Sequence, residues 1–281
     1  MIMDMHSHTS FSPDAESSPE QMCERAEQLG LKAYAITDHC DCNYWLPESE
    51  HEYPVYAKDD TMMYGSRDYA QASIKAVSAL KEKYPFLLCG IELGQPLQNM
   101  SAAEQILSMS ELDFVIGSHH MNSGCADFYW LDYSSMSPSE VDKVFEESLV
   151  QILDMCRWGG FDVLGHLTYP LRFMVGDYGF DIDLRKFDDI IREIFLTLRD
   201  NGKGIEINTK GLRQNYGKPL PDERIIKMWK DVGGEVLTIG SDAHRAAELG
   251  ADIGRCEDIA RSCGFRYLTC FRQRRAEFIK L

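Results

Sequence analysis

Apolar residues along the chain fall into two alternating kinds of run. Short, nearly continuous ones end on polar residues: IMDMHSH, AYAITDH, LLCGIELG, DFVIGSHH, DVLGHL, GIEINTK and VLTIGSDAH. Runs of this kind are typical of strands buried on both faces, as in a parallel sheet. The stretches between them repeat apolar residues at helical spacing. Val141, Val144, Phe145, Leu149, Ile152, Leu153 and Cys156 form one stripe, and Leu184, Phe187, Ile190, Ile191, Ile194, Phe195 and Leu198 another. In SPEQMCERAEQLG, Met22, Ala26 and Leu29 share a face behind Ser18 and Pro19, a good N-cap and first helical position. Gly30, Gly159, Gly202 and Gly233 stand where helices of this set should end.

Alternating strands and helices without internal repeats imply a parallel sheet wrapped by helices. Seven such units, each delivering polar residues to one strand end, predict an α/β fold. The specific expectation is a distorted (β/α)7 TIM-like barrel with a metal site at the C-terminal ends of the strands. No GxGxxG turn follows the first strand, which argues against dinucleotide binding. Residues 40–66 and 120–137 are the longest irregular stretches and leave C-terminal strand ends, where substrate loops belong. Without a Pro/Ser-rich linker or a charge run, residues 1–281 are expected to form one domain. The tail RYLTCFRQRRAEFIKL predicts two short strands about a polar turn, with Arg272, Arg274 and Arg275 in solvent.

Composition narrows the function. A formal net charge of −16 disfavours a nucleic-acid partner. No leader-like segment and no long apolar run is visible, so no membrane partner is expected. Nine cysteines, an odd number with no CxxC pair, point to reduced thiols and a cytoplasmic protein. Cys40 and Cys42, just after a TDH triplet, read as bystander thiols.

The candidate chemistry lies at the strand ends. In chain order these carry His6 and His8, Asp14 in the following loop, His39, Glu92, His119 with His120 beside it, His166, and Asp242 with His244. In a barrel those ends meet on one face. Residues i and i+2 of a strand point to the same side, so His6 and His8 can grip one ion, and Asp242 and His244 have the same spacing. Glu92 has two oxygens and can bridge two cations about 3.5–4 Å apart. Imidazole with carboxylate suits Zn, Mn, Fe or Co, whereas calcium prefers oxygen shells. Burying so many titratable groups together would be costly without cations among them.

HSHTSFSPD, ITDH, GIELG, GSHH, GHL and GSDAH, in this order and over the whole chain, resemble the polymerase and histidinol phosphatase (PHP) superfamily of metal-dependent phosphoesterases. The resemblance implies a distorted (β/α)7 barrel and three divalent transition-metal ions, Zn, Mn or Fe. Carried over residue by residue, one metal would take His6, His8, Glu92 and Asp242. A second would share Glu92 and add His119 and His166, and a third would take Asp14, His39 and His244. Some members have histidine where this chain has Asp14.

SHTSFSPDA, GHLTYPLRF and EINTKGLR are further similar to the histidinol-phosphate phosphatases. That likeness implies hydrolysis of L-histidinol phosphate to L-histidinol and phosphate, a step of histidine biosynthesis. The alternative is another phosphoesterase of the superfamily, acting on nucleotide or sugar phosphates. A metal-dependent amidohydrolase is a weaker fit, because no bridging lysine stands out on a middle strand.

Asp242 and His244 are expected to handle protons in the reaction. Arg172, six residues after His166, is expected to clamp the phosphate of a small phosphorylated substrate. Asn208, at the end of the sixth strand, is expected to orient ester or water, and His120 is placed on the substrate side. Lys210, Arg213 and Arg245 are read as solvated reserve cations. Tyr44, Trp45, Glu48, Tyr129 and Trp130 lie in the two long loops, where aromatics and carboxylates could meet an imidazole and an amino group.

Overall fold

The structure, a computed structural model, describes residues 3–45 and 66–281. Glu48 lies outside the described residues, as do the side chains of Tyr44 and Trp45. The strands are β1 (Met3–Asp4), β2 (Ala33–Ile36), β3 (His39–Asp41), β4 (Leu87–Gly94), β5 (Phe114–Ser118), β6 (Val163–Leu164), β7 (Gly204–Asn208) and β8 (Leu237–Gly240). They run parallel in the order β1-β2-β4-β5-β6-β7-β8, with β3 also on β4. β2 pairs the lower part of β4, from Tyr34↔Leu87 to Ile36↔Cys89, and β3 the upper part, from His39↔Glu92 to Asp41↔Gly94. Thr37 and Asp38 thus interrupt a single barrel position.

Closure from β8 to β1 uses single backbone bonds. The N–H of Met5 donates to Ile239 O (2.9 Å), that of Asp242 to His6 O (2.8 Å), and that of His8 to Ala243 O (2.8 Å). This is the distorted, nearly closed seven-position barrel that the alternating pattern predicts. Two of the predicted strands, IMDMHSH and DVLGHL, keep only two residues each in strand form among the described residues, because their ends turn into the rim.

The helices are α1 (Pro19–Gln28), α2 (Ser66–Leu80), α3 (Met100–Leu107), α4 (Pro138–Trp158), α5 (Asp188–Asp200), α6 (Glu223–Asp231) and α7 (Ile253–Ser262). α1 starts at the expected cap: the Gln21 N–H donates to Ser18 Oγ and the Ser18 N–H to Gln21 Oε1. α4 buries Val141, Phe145, Leu149, Ile152, Leu153 and Cys156 and stops at Gly159, whose φ of +70° suits a residue without Cβ. Each large apolar side chain so buried contributes about 1.5–3 kcal/mol. Leu184–Phe187 forms a 3-10 turn ahead of α5 rather than its first turn, since Asp183 accepts from the Arg185 N–H.

The tail forms a hairpin of β9 (Tyr267–Arg272) and β10 (Arg275–Lys280). Arg274 at its tip is not left in solvent. Arg274 donates from Nε to Asp162 (2.5 Å) and from Nη2 to Gly160 O (3.0 Å), and its N–H reaches Asp113 O (2.9 Å). The hairpin therefore docks under the N-terminal ends of β5 and β6. Arg275 is exposed, as the sequence suggests, and the Arg272 side chain is partly so. All nine cysteines are free, and Cys40 and Cys42 are buried in the core. Among the described residues, no helix is long and apolar enough to cross a membrane.

Candidate metal centre

The loop after β1 is held in place by one buried acid. Asp38, at the break between β2 and β3, accepts from the Thr9 N–H (2.6 Å), Thr9 Oγ1 (2.8 Å), Ser12 Oγ (2.6 Å) and Ser73 Oγ (2.5 Å). Ser12 Oγ in turn accepts from the His39 N–H (3.1 Å) and lies 3.3 Å from His8 Nδ1. One carboxylate so fixes the path that presents His8 and Asp14. At the opposite seam, Asp242 has φ +53°, a left-handed conformation that costs a non-glycine residue energy and is typical of functional sites. It is a turn residue, not the extended one that its spacing from His244 suggested.

Six side chains converge on Glu92. His6 Nε2 and His8 Nε2 are 3.1 Å apart and lie 3.5 and 3.6 Å from Glu92 Oε2. His8 Nε2 is 3.5 Å from Asp242 Oδ1. His166 Nε2 is 2.8 Å from Glu92 Oε1, and His39 Nδ1 is 2.8 Å from Glu92 Oε2. At the mouth, Asp14, 43% exposed, is 3.6 Å from His39 Nε2 and 2.9 Å from His244 Nε2. The residues expected at the first and third cation positions are therefore brought together. His8, His39 and His244 offer one cluster of donor atoms; His6, His8 and Glu92 offer a second; His6, His166 and Asp242 a third.

The expected second position needs a correction. His119 turns away, with Nε2 3.0 Å from Asn122 Oδ1 and its ring against Phe128. His120 enters instead, 3.2 Å from Glu92 Oε1 and 3.4 Å from His166 Nε2. Ser118 explains this: it points inward, donating to Glu92 Oε1 at 2.7 Å, and a side-chain period of two puts position 120 on the same face. Asp41 and Glu206 were not anticipated. Asp41 Oδ1 is 3.0 Å from His120 Nδ1, and Glu206 Oε1 is 2.7 Å from His6 Nδ1, so each acid orients an imidazole from behind. Gly240 makes room for this layer, since a Cβ there would collide with His6 and Glu206.

Asn208 is bonded on both sides to neighbouring protein groups. Its Nδ2 donates to Asp242 Oδ2 (3.1 Å) and Glu206 Oε2 (3.3 Å), and its Oδ1 accepts from the Lys210 N–H (3.0 Å). It positions Asp242. Lys210 is not solvated; its Nζ lies 3.2 Å from Asp242 Oδ1 and 2.8 Å from His244 Nδ1. Arg213 is tied to Ser241 O and Thr209 Oγ1, while Arg245 stays exposed between Glu16 and Glu248. Arg172 stacks over Tyr169, whose ring packs on His120 and His166. Its Nε is buried without a hydrogen-bond partner among the described residues. Tyr129 and Trp130 are exposed, whereas Asp127 between the same elements accepts from the Tyr129 N–H (2.7 Å). Burial pushes the Asp127 carboxyl up to about 6, against the pull of His120 and Arg172.

The electrostatics follow from this crowding. Burial disfavours charge on Glu92, but His6, His120 and His39 hold it well below the usual carboxylate range. Burial likewise opposes charge on His120, yet Glu92 and Asp41 push it up to about 10. Similar forces raise His6, through Glu206 and Glu92, and His39, through Asp14 and Glu92. His8 goes the other way, lowered by burial and by His39 and His244. His119, outside the cluster, is lowered by burial to about 4.

The donor set fits divalent transition metals. Glu92 Oε2 and His39 Nδ1 are both buried, 2.8 Å apart, and without a satisfactory hydrogen bond among the described residues. Both atoms are thus free to act as ligands of cations.

The chain is similar to proteins of known kind. A probable histidinol-phosphatase of Thermotoga maritima is 27% identical over 267 residues, 95% of this chain and 94% of the relative. The histidinol-phosphatase of Lactococcus lactis is 25% identical over 271 residues, 96% and 94%. In three dimensions the chain matches the Lactococcus lactis histidinol phosphate phosphatase, crystallised with zinc, L-histidinol and phosphate. The TM-score is 0.71 at 22% identity, covering 98% of both chains. The pattern of the PHP domain matches residues 4–210, a span that includes every cluster residue named above except Asp242 and His244. The chain belongs to the PHP domain family.

Proposed function

We propose that the chain is a metal-dependent phosphoric monoester hydrolase, a histidinol-phosphatase that converts L-histidinol phosphate and water to L-histidinol and phosphate. The convergence of His6, His8, Glu92, His120, His166 and Asp242 on one rim carries this reading. Similarity to histidinol-phosphatases over nearly the whole chain supports the substrate. We further propose three divalent ions, Zn, Mn or Fe. The first would be held by His6, His8, Glu92 and Asp242. The second would use Glu92, His120 and His166, with His120 in place of His119. The third would use Asp14, His39 and His244. Asp242 and His244 come from beyond residue 210, so residues 1–281 would act as one catalytic unit.

When bound, such ions supply neutralisation of the phosphoryl oxygens and make a water more acidic. The chain does the rest. Asn208 and Lys210 hold Asp242 so that its carboxylate can take the proton from the attacking water, while His244, as a ligand of the third ion, lines the same rim. As the O–P bond forms and the ester P–O bond breaks, that proton passes to the leaving alkoxide, giving the alcohol of L-histidinol. Arg172 offers its unpartnered Nε to a phosphoryl oxygen. Asp127, on the same rim, would meet the substrate ammonium.

The test is phosphate release from a panel of esters with added manganese or zinc. L-Histidinol phosphate should exceed nucleotides and sugar phosphates by about a hundredfold or more in kcat/KM. A flat profile would favour the broader phosphoesterase alternative, and purified protein that carries no transition metal would overturn the mechanism.

A further inference from the structure

A cavity of about 490 Å³ lies between α1 and the 3-10 turn Ala246–Glu248. That size suits a small molecule. Glu24, Arg25 and Gln28 of α1 line it, together with Ser17, Ala246 and Ala247. Its walls are clipped to one another. Ser17 Oγ accepts the Ala246 N–H at 2.9 Å, Ser17 O accepts the Ser10 N–H at 2.8 Å, and the Glu16 N–H donates to His244 O at 2.9 Å.

The polar groups in this lining are not spent on the chain itself. Arg25 is half-buried and enters no ion pair among the described residues, and its buried Nε has no hydrogen-bond partner there. Glu24, its neighbour in sequence, forms no salt bridge among the described residues and feels Lys83 only at longer range. Ser17 Oγ meets Ala246 through a lone pair, so its own proton is left for another acceptor.

The N–H groups of a guanidinium come in pairs that match the two oxygens of a carboxylate. A carboxylate such as Glu24 in turn attracts an ammonium. The surroundings decide against a bare anion. Glu16, Glu20, Glu27 and Glu248 flank the lining in sequence, and Arg245 is already held by Glu16 and Glu248. Such an excess of negative charge repels a phosphate dianion, whereas a zwitterion carries no net charge to be repelled.

We propose that this cavity is a second binding site, for a zwitterionic α-amino acid. Its carboxylate meets Arg25 and Ser17, its ammonium meets Glu24, and Ala246 and Ala247 offer methyl groups to its side chain. None of these residues belongs to the cation positions proposed above, and the site does not depend on that reading.

Calorimetry on the full chain, with each proteinogenic L-amino acid in turn, tests this. At least one should bind with a Kd of about 1 mM or tighter. Its methyl ester and its N-acetyl derivative, each lacking one charge, should bind at least about tenfold more weakly. Arg25→Gln and Glu24→Gln should each weaken binding to the same degree, and unaltered thermal unfolding would report that both variants are folded. Binding unchanged by Arg25→Gln, equal binding of the methyl ester, or no binding of any amino acid would overturn the inference. So would inorganic phosphate that binds more tightly than any amino acid and is lost in Arg25→Gln, since the cavity would then take a plain anion.

Discussion

Asp113 and Asp162, at the N-terminal ends of β5 and β6, are as buried as Glu92 and Asp242 at the opposite rim. Below, the chain supplies the counter-charge itself. Lys81 Nζ is 2.6 Å from Asp113, Arg274 Nε is 2.5 Å from Asp162, and the N–H groups of Cys89, Gln273 and Val115 complete both acids. Above, Glu92 meets five imidazoles, from His6, His8, His39, His120 and His166, and its Oε2 has no hydrogen bond among the described residues. Permanent charges close one end for good. Around Glu92, weak bases leave the other end open to charges that arrive from outside, although Asp242 beside it also has Lys210 at 3.2 Å. Burial alone marks neither a scaffold nor a reaction centre; the kind of partner does.

Glu92→Gln should break the upper end most severely. With the bridging charge gone, kcat/KM should fall by about a thousandfold or more, and metal analysis should show lost ions. A variant of normal metal content and activity would remove Glu92 from the centre. Next comes the paired replacement of neighbours. His120→Ala should cost on the order of a hundredfold in kcat/KM, and His119→Ala less than about threefold. The reverse order would restore the assignment that the sequence alone suggested.

Arg274→Ala addresses the lower end. It leaves Asp162 buried without its cation and should lower stability by about 2–4 kcal/mol, since the guanidinium is partly exposed. Chemical denaturation measures this, while ion content should be unaltered. Loss of bound metal without loss of stability would mean that the two ends are not separable. The mildest effect concerns pH. Ligation needs neutral imidazoles, whereas carboxylates hold His6 and His39 above their ordinary range and His120 up to about 10. Protons therefore compete with the ions. Apparent affinity should rise about tenfold per pH unit between roughly pH 6 and 9. Calorimetry in buffers of different ionisation heat should show proton release, and none would contradict the shared-charge arrangement.

Much of the upper end is legible in the sequence, because barrel geometry gathers the polar residues that close each apolar run. His6, His8, Glu92, His166 and Asp242 follow from that alone. Side-chain parity on β5 does not: DFVIGSHH is buried on both faces, so nothing in it reveals which histidine faces inward. Asp41 repeats after His39 the two-residue step of His6 and His8, a signal carried by the sequence itself. Glu206 is hidden inside GIEINTK as a charged residue in a strand that otherwise looks like core. Arg274 has no local signal at all. A polar hairpin tip reads as solvated until the fold brings Asp113 and Asp162 beneath it.

The seam between Met5–His8 and Ile239–Ala243 bears on biosynthesis. During translation, His6 and His8 emerge long before Asp242 and His244, so the growing polypeptide cannot complete the chelating pocket that joins them. Any donor cluster that draws on both sides of the seam, such as His6, His166 and Asp242, waits until it is made.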